Sequence, residues 1–154
     1  MINSHQKFMQ LALKEAVRAS EEDEVPVGAV VVYKDRVIGK SYNQVERLKD
    51  PTAHAEMIAI TQASHFLNCK WLNDCSVYVT IEPCPMCAGA LVLARVKNVI
   101  FAAADLKSGA CGSVVDITNS KELNHRIKIT KGILEQEARD LLQEFFRKKR
   151  KAKT

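Results

Sequence analysis

Residues 77–102 read VYVTIEPCPMCAGALVLARVKNVIFA, and this stretch decides the fold. Residues 77–80 form a short β-branched and aromatic run that predicts a strand. Residues 84–95 have helical length, and residues 99–102 return to a strand pattern. Strand, helix, strand in this order is a βαβ unit. Its two strands should lie parallel and be joined by a right-handed crossover.

The elements on either side extend this pattern. Met9, Ala12, Leu13, Ala16 and Val17 recur at helical spacing, with Ser4 as the expected N-cap and the acidic run 21–24 plus Pro26 as the stop. Residues 28–33 and Val37-Ile38-Gly39, separated by the polar turn Lys34-Asp35-Arg36, read as a β-hairpin. Asp50-Pro51-Thr52 predicts a helix start, with Asp or Thr as cap and Pro in the first turn, running to about Phe66. Residues 127–130 predict a short strand. A last helix follows Gly132, with Leu134, Ala138, Leu141, Leu142 and Phe145 on its buried side. Strands alternating with helices make an α/β protein, a three-layer α/β/α sandwich with a central mixed sheet of about five strands.

The chain has 154 residues, which suits one domain: residues 1–146 as the folded body and residues 147–154 as a basic tail continuing the last helix. Hydrophobic residues at 47% and charged residues at 27% match a soluble globular protein. The longest apolar run, residues 88–94, is far too short to span a bilayer. Residues 1–14 carry charges and lack a signal-peptide core, so the expected compartment is the cytoplasm and no membrane partner is expected. Of 23 basic residues, six fall within 147–153, and the other 17 face 18 acids across the body. The tail alone leaves phosphate binding and simple solubilisation both open. Five cysteines, an odd number, argue against a disulfide framework and for metal binding or free thiols.

His54-Ala55-Glu56 and Pro83-Cys84-Pro85-Met86-Cys87 carry the chemistry. A Cys-x-x-Cys opening a helix puts both sulfurs on one side of its first turn, where N–H groups and the helix dipole favour thiolate. Two thiolates and an imidazole suit zinc. A structural site closes with four protein ligands. Here Cys69, Cys75 and Cys111 lack paired spacing, so three ligands leave a fourth position for water. Zinc lowers the pKa of such a water to about 7. Glu56 lies roughly 200° around a regular helix from His54, so it should reach that water rather than the metal and move its proton. A lone His is usually structural and a lone Cys-x-x-Cys is sometimes redox-active. The redox reading leaves His54 and Glu56 idle.

His-x-Glu followed by Pro-Cys-x-x-Cys is the signature of the cytidine deaminase superfamily. Within it the sequence resembles the bacterial tRNA-specific adenosine deaminases over nearly its whole length. The segments 24–30, 50–56 and 82–90 resemble the family's pocket strand and two metal helices. The resemblance implies a cytidine deaminase-like fold, one Zn2+ per subunit and a homodimer acting on a tRNA anticodon stem-loop. The implied reaction turns the wobble adenosine of an arginine tRNA into inosine, with zinc-bound hydroxide attacking C6 and Glu56 shuttling protons.

For substrate contacts it implies Asn43 on the base and Val27, Ala55 and Pro83 around the pocket. Asp105 lies in a loop beside the RNA. Asn124 and His125, and Phe146 and Arg147, resemble segments near the bound anticodon loop. On residue type alone Asn43 reads better as a turn residue after the second strand, and Asp105 reads also as a helix cap and Val27 as core. Ala104 and Leu106 depart from the family's usual Arg and Ala. Guanine deaminases share the Glu-Pro-Cys-Pro-Met-Cys segment, so it does not choose between substrates.

Overall fold

The structure, a computed structural model, describes residues 3–153; Met1, Ile2 and Thr154, included in the expected body and tail, lie outside the described residues. Helix α1 (Ser4–Glu21) leads into the hairpin β1 (Gly28–Tyr33) and β2 (Arg36–Tyr42). A short helix α2 (Val45–Leu48) precedes α3 (Ala55–Leu67). The βαβ unit is β3 (Cys75–Ile81), α4 (Pro85–Leu93) and β4 (Asn98–Ala103). Strand β5 (Lys128–Lys131) and helix α5 (Glu135–Ala152) end the chain.

The sheet order is β2-β1-β3-β4-β5. Strands β2, β1 and β3 pair antiparallel, and β3, β4 and β5 pair parallel, so the sheet is mixed as expected. Both faces are covered. Ala29, Val31, Val77, Val79, Val99 and Phe101 point to α3 and α4, whereas Val30, Val32, Tyr78, Ile100 and Ala102 point to α1 and α5. This is the two-residue period of a pleated strand. Burial on both sides explains why the central strands read as continuous apolar runs.

Three local expectations need correction. The N-cap of α1 is Asn3, not Ser4: Asn3 Oδ1 accepts from the Gln6 N–H at 2.8 Å, and Gln6 Oε1 accepts from the Asn3 N–H at 3.4 Å. Only the Asn3 register places a Gln at N3 to complete the reciprocal pair. The buried face of α1 is Phe8, Met9, Ala12, Glu15, Ala16 and Ala19, and Val17 lies at its exposed edge. Small residues on this face let β1 approach closely. A Cβ on Gly28 would run into the Ala12 carbonyl.

The second correction concerns Asp50-Pro51-Thr52, which is a turn rather than a helix start. Asp50 Oδ1 accepts from both the Thr52 N–H (2.8 Å) and its hydroxyl (2.7 Å), closing an Asx turn. Helix α3 therefore begins later, with His54 as its N-cap. Third, α5 buries only Ala138 fully. Leu134, Leu141, Leu142 and Phe145 are half-buried: Leu134, at the N-cap, packs against the edge of the core, whereas Leu142 and Phe145 face a cleft rather than the sheet.

Candidate active site

The three ligand candidates sit at two helix N-termini. His54 is the N-cap of α3 and Cys84 the N-cap of α4, both with extended backbone; Pro85 opens α4 and Cys87 lies in its first turn. Caps leave the helix, so their side chains point along its axis instead of outward from its side. His54 Nδ1 lies 3.6 Å from Cys84 Sγ and 3.4 Å from Cys87 Sγ. Zinc with bonds of ~2.3 Å to sulfur and ~2.0 Å to nitrogen, in tetrahedral geometry, separates N and S by about 3.5 Å. The spacing fits that ion. Among the described residues these are the only ones that gather as a metal-ligating group.

Protonation points the same way. Hydrogen bonding from Cys87 and from His54 pushes the Cys84 thiol down to about 4, while the neighbouring Cys84 and burial push the Cys87 thiol up. The hydrogen bond to Cys84 raises His54 above its ordinary value. Without a cation the two sulfurs compete for one negative charge. A divalent ion among them removes the conflict and lets both ionise.

Glu56 lies in the first turn of α3 and is 3% exposed. Burial raises its carboxyl above the usual range, opposed by its own backbone N–H and by His54. A carboxyl raised in this way holds a proton more readily than a free one, as a proton carrier requires.

His54, Ala55, Glu56 and Cys84 open into a cleft of about 1040 Å³ at the sheet end where β3 and β4 finish. Ligands characteristically bind beyond the carboxyl ends of parallel strands. Val27, Asn43, Asp105 and Phe146 line the cleft. Asn43 is buried, and its N–H donates to the Val27 carbonyl at 3.0 Å. Asp105 receives the N–H groups of Lys107 and Ser108 and the Ser108 hydroxyl, so it also organises its own turn.

Four of the expected contact residues sit elsewhere. Pro83 is buried behind the cleft, its carbonyl accepting from Ala110 N–H at 2.9 Å. Asn124 and His125 precede β5 at the opposite end of the sheet. His125 Nε2 donates to the Val96 carbonyl there at 2.7 Å, because β5 runs parallel to β4 and starts far from the site. Arg147 turns away from the cleft and pairs with Glu144 at 2.6 Å. One residue along a helix is a rotation of about 100°, so Arg147 does not share the face of Phe146.

Of the basic tail, which the sequence left open to phosphate binding as a whole, Lys149 and Lys153 are the cations that line the cleft. With Leu142, Phe145 and Phe146 they form a stripe on the cleft wall. The spacing 142, 145, 146, 149, 153 is helical and was available from periodicity. It was obscured by reading the tail as a block of charge. Phe145, expected in the core, also reaches the cleft and meets Phe146 edge-on at 5.4 Å between centroids.

The sequence model of the MafB19-like deaminase family matches residues 3–150. A protein of Aquifex aeolicus (strain VF5) named tRNA-specific adenosine deaminase is 54% identical over 143 residues, 93% of this chain and 94% of that protein. A Bacillus subtilis (strain 168) protein of the same name is 42% identical over 146 residues, 95% of this chain and 91% of that protein. A structure solved in studies of A-to-I editing by tRNA:A34 deaminases superposes with a TM-score of 0.86 at 42% identity, covering 88% of this chain and 99% of that one. A guanine deaminase from Nitrosomonas europaea superposes with a TM-score of 0.75 at 25% identity, covering 91% and 83%.

Proposed function

The chain belongs to the tRNA-specific adenosine deaminases of the MafB19-like deaminase family, and on that premise we propose that it converts the wobble adenosine of an arginine tRNA to inosine. The observation that carries this reading is one cleft with two unlike halves. Its floor holds His54, Cys84 and buried Glu56; its wall holds Phe145, Phe146, Lys149 and Lys153. A free base needs only the floor. Aromatic and cationic side chains along the exit suit the unpaired bases and phosphates of an RNA loop.

His54, Cys84 and Cys87 would hold one zinc per subunit, which when bound supplies a water acidified to about neutral pH. Asn43 orients the purine from the cleft lining, with Val27 and Ala55 packing beside the ring. Glu56 takes one proton of the water as its oxygen adds to C6 of adenine and passes it to the ring nitrogen; it then takes the proton left on the new C6 hydroxyl and hands it to the amine as the C6–N bond breaks. Ammonia leaves and inosine remains.

A homodimer completes the proposal. Helix α4 is apolar all round, and such a helix is buried on every side. Its core side holds Cys87, Ala88, Leu91 and Val92, while Leu93 is 81% exposed and Gly89 faces open space. A second copy meeting this face across a two-fold axis would cover it. Leu93→Arg should halve the mass seen by light scattering; a monomeric parent protein would refute the dimer. Among the described residues no helix is long and apolar enough to cross a membrane. We assign the activity to the cytoplasm, where tRNA is its substrate.

The deciding experiment offers an arginine-tRNA anticodon stem-loop with a wobble adenosine and, in parallel, free guanine. Inosine from the stem-loop is the expected product. Xanthine without inosine would keep the zinc chemistry and overturn the RNA assignment.

A further inference from the structure

Two buried carboxylates border the cleft and have no part in the chemistry above. Glu24 and Glu82 are each 1% exposed. An acid so deep is tolerated only when its oxygens are fully hydrogen-bonded, and both are bonded in the same way. Glu24 accepts from the backbone N–H of Glu46 (3.0 Å) and of Arg47 (2.7 Å), one oxygen to each. Glu82 accepts from the backbone N–H of Asp105 (3.0 Å), Cys111 (2.9 Å) and Ser113 (3.1 Å), and from the Ser113 hydroxyl. Neither pairs with a cation among the ion pairs of the described residues.

The donors belong to the two irregular walls of the cleft. Glu24 holds α2 and its Arg47. Glu82 holds the loop of Asp105, Lys107 and Ser108. That loop lies flat on its anchor: a Cβ on Gly109 would run into the Glu82 carboxylate. The sheet brings the two acids together. Glu24 lies just ahead of β1 and Glu82 directly follows β3, and these strands are antiparallel with Ala29 opposite Val79. Both acids therefore sit at the site end of the sheet. Backbone bonds from Glu82 N–H to Ala103 (2.8 Å) and from Ala110 N–H to the Pro83 carbonyl (2.9 Å) tie the same loop to the chain entering Cys84.

We propose that Glu24 and Glu82 are positioning residues for the nucleic-acid substrate, each fixing one irregular wall of the cleft so that the gap between α2 and the Asp105 loop admits an extruded nucleotide. This rests on the RNA reading above. The metal-ligand candidates stand on the caps and first turn of α3 and α4, outside the wall segments the two acids hold. The two walls touch the strand rather than the reacting atom, so the role belongs to binding and alignment.

The test uses the full-length, zinc-loaded enzyme and the isosteric variants Glu82→Gln and Glu24→Gln. An amide turns a donor toward N–H groups that need acceptors, loosening the wall without changing its volume. Each variant should raise KM for the anticodon stem-loop about tenfold while kcat changes less than threefold, with zinc content unchanged. Amide exchange should speed up at residues 105–113 for Glu82→Gln and at residues 46–47 for Glu24→Gln, and not in β3 or β4. Ser113→Ala removes a single donor and should raise KM about twofold; it decides the case if Glu82→Gln does not fold. Unchanged KM in the folded variants overturns the proposal, as does zinc loss with a collapse of kcat. If the parent enzyme neither binds nor deaminates the stem-loop, the RNA reading fails first. Local exchange in the variants would then show separately whether the acids hold the walls.

Discussion

Five cations line the cleft: Arg47, Lys49, Lys107, Lys149 and Lys153. If each neutralises one phosphate of a single-stranded loop, the log–log slope of RNA affinity against salt is about −3.5. Affinity should then fall about 130-fold between 50 and 200 mM salt. The double change Lys149→Gln, Lys153→Gln removes the α5 share, leaving a slope of about −2.1 and a loss of about 20-fold over the same range. Lys149 is paired with Asp23 at 2.6 Å, but the Asp23 side chain is 76% exposed and the pair is screened. Such a pair is worth about 0–1 kcal/mol and yields readily to a phosphate. Fluorescence anisotropy with a labelled stem-loop at four salt concentrations measures the slope. Arg147→Gln is the internal control: its guanidinium is held by Glu144 on the other side of the helix, so the slope should not move. An unchanged slope in the double variant, or an equal drop in Arg147→Gln, would refute the assignment of the cleft wall.

Glu56→Ala should cut kcat by about 10²–10⁴ while zinc content stays the same; turnover within tenfold of the parent would remove Glu56 from the proton path. Alkylation of the zinc-loaded enzyme at pH 8 should mark the exposed Cys69 and spare Cys75 and Cys111, whose thiols burial pushes up to about 11 and about 12. Chelation should add half-buried Cys84 to the labelled set in a peptide map, and labelling of Cys84 with zinc bound would contradict the ligand assignment. Gly28→Ala should cost about 1–3 kcal/mol in urea unfolding, because the new methyl meets the α1 backbone instead of a movable side chain; a change below about 0.5 kcal/mol would mean α1 packs less closely.

Much was legible without coordinates because the signals were local. The strand runs 77–80 and 99–102 and the helix between them gave the parallel pair β3 and β4 with α4 crossing over. His54, Cys84 and Cys87 were recognisable from spacing, since a Cys-x-x-Cys at a helix start brings its sulfurs together wherever that helix goes. Asp50 misled because its side chain serves a turn and a cap equally well, and only the later chain direction chooses between them. The placement of Asn124 and His125 ahead of β5, away from the cleft, was not legible, because a local segment does not say which end of a strand a residue occupies.

The sequence by itself determined the layers, the mixed sheet's parallel half and which side chains are the candidate metal ligands, because period-two and period-3.6 patterns and short motifs act within a few residues. Only the tertiary structure decided how those parts face one another. The antiparallel pairing of β1 with β3 carries Glu24 to the side of Glu82, residues far apart in the chain, and gives each a wall to hold. The packing of α5 over α1 turns Phe146, Lys149 and Lys153 toward the cleft and Arg147 away from it. Long-range juxtapositions of this kind follow from which faces bury together, and no window of sequence contains that information.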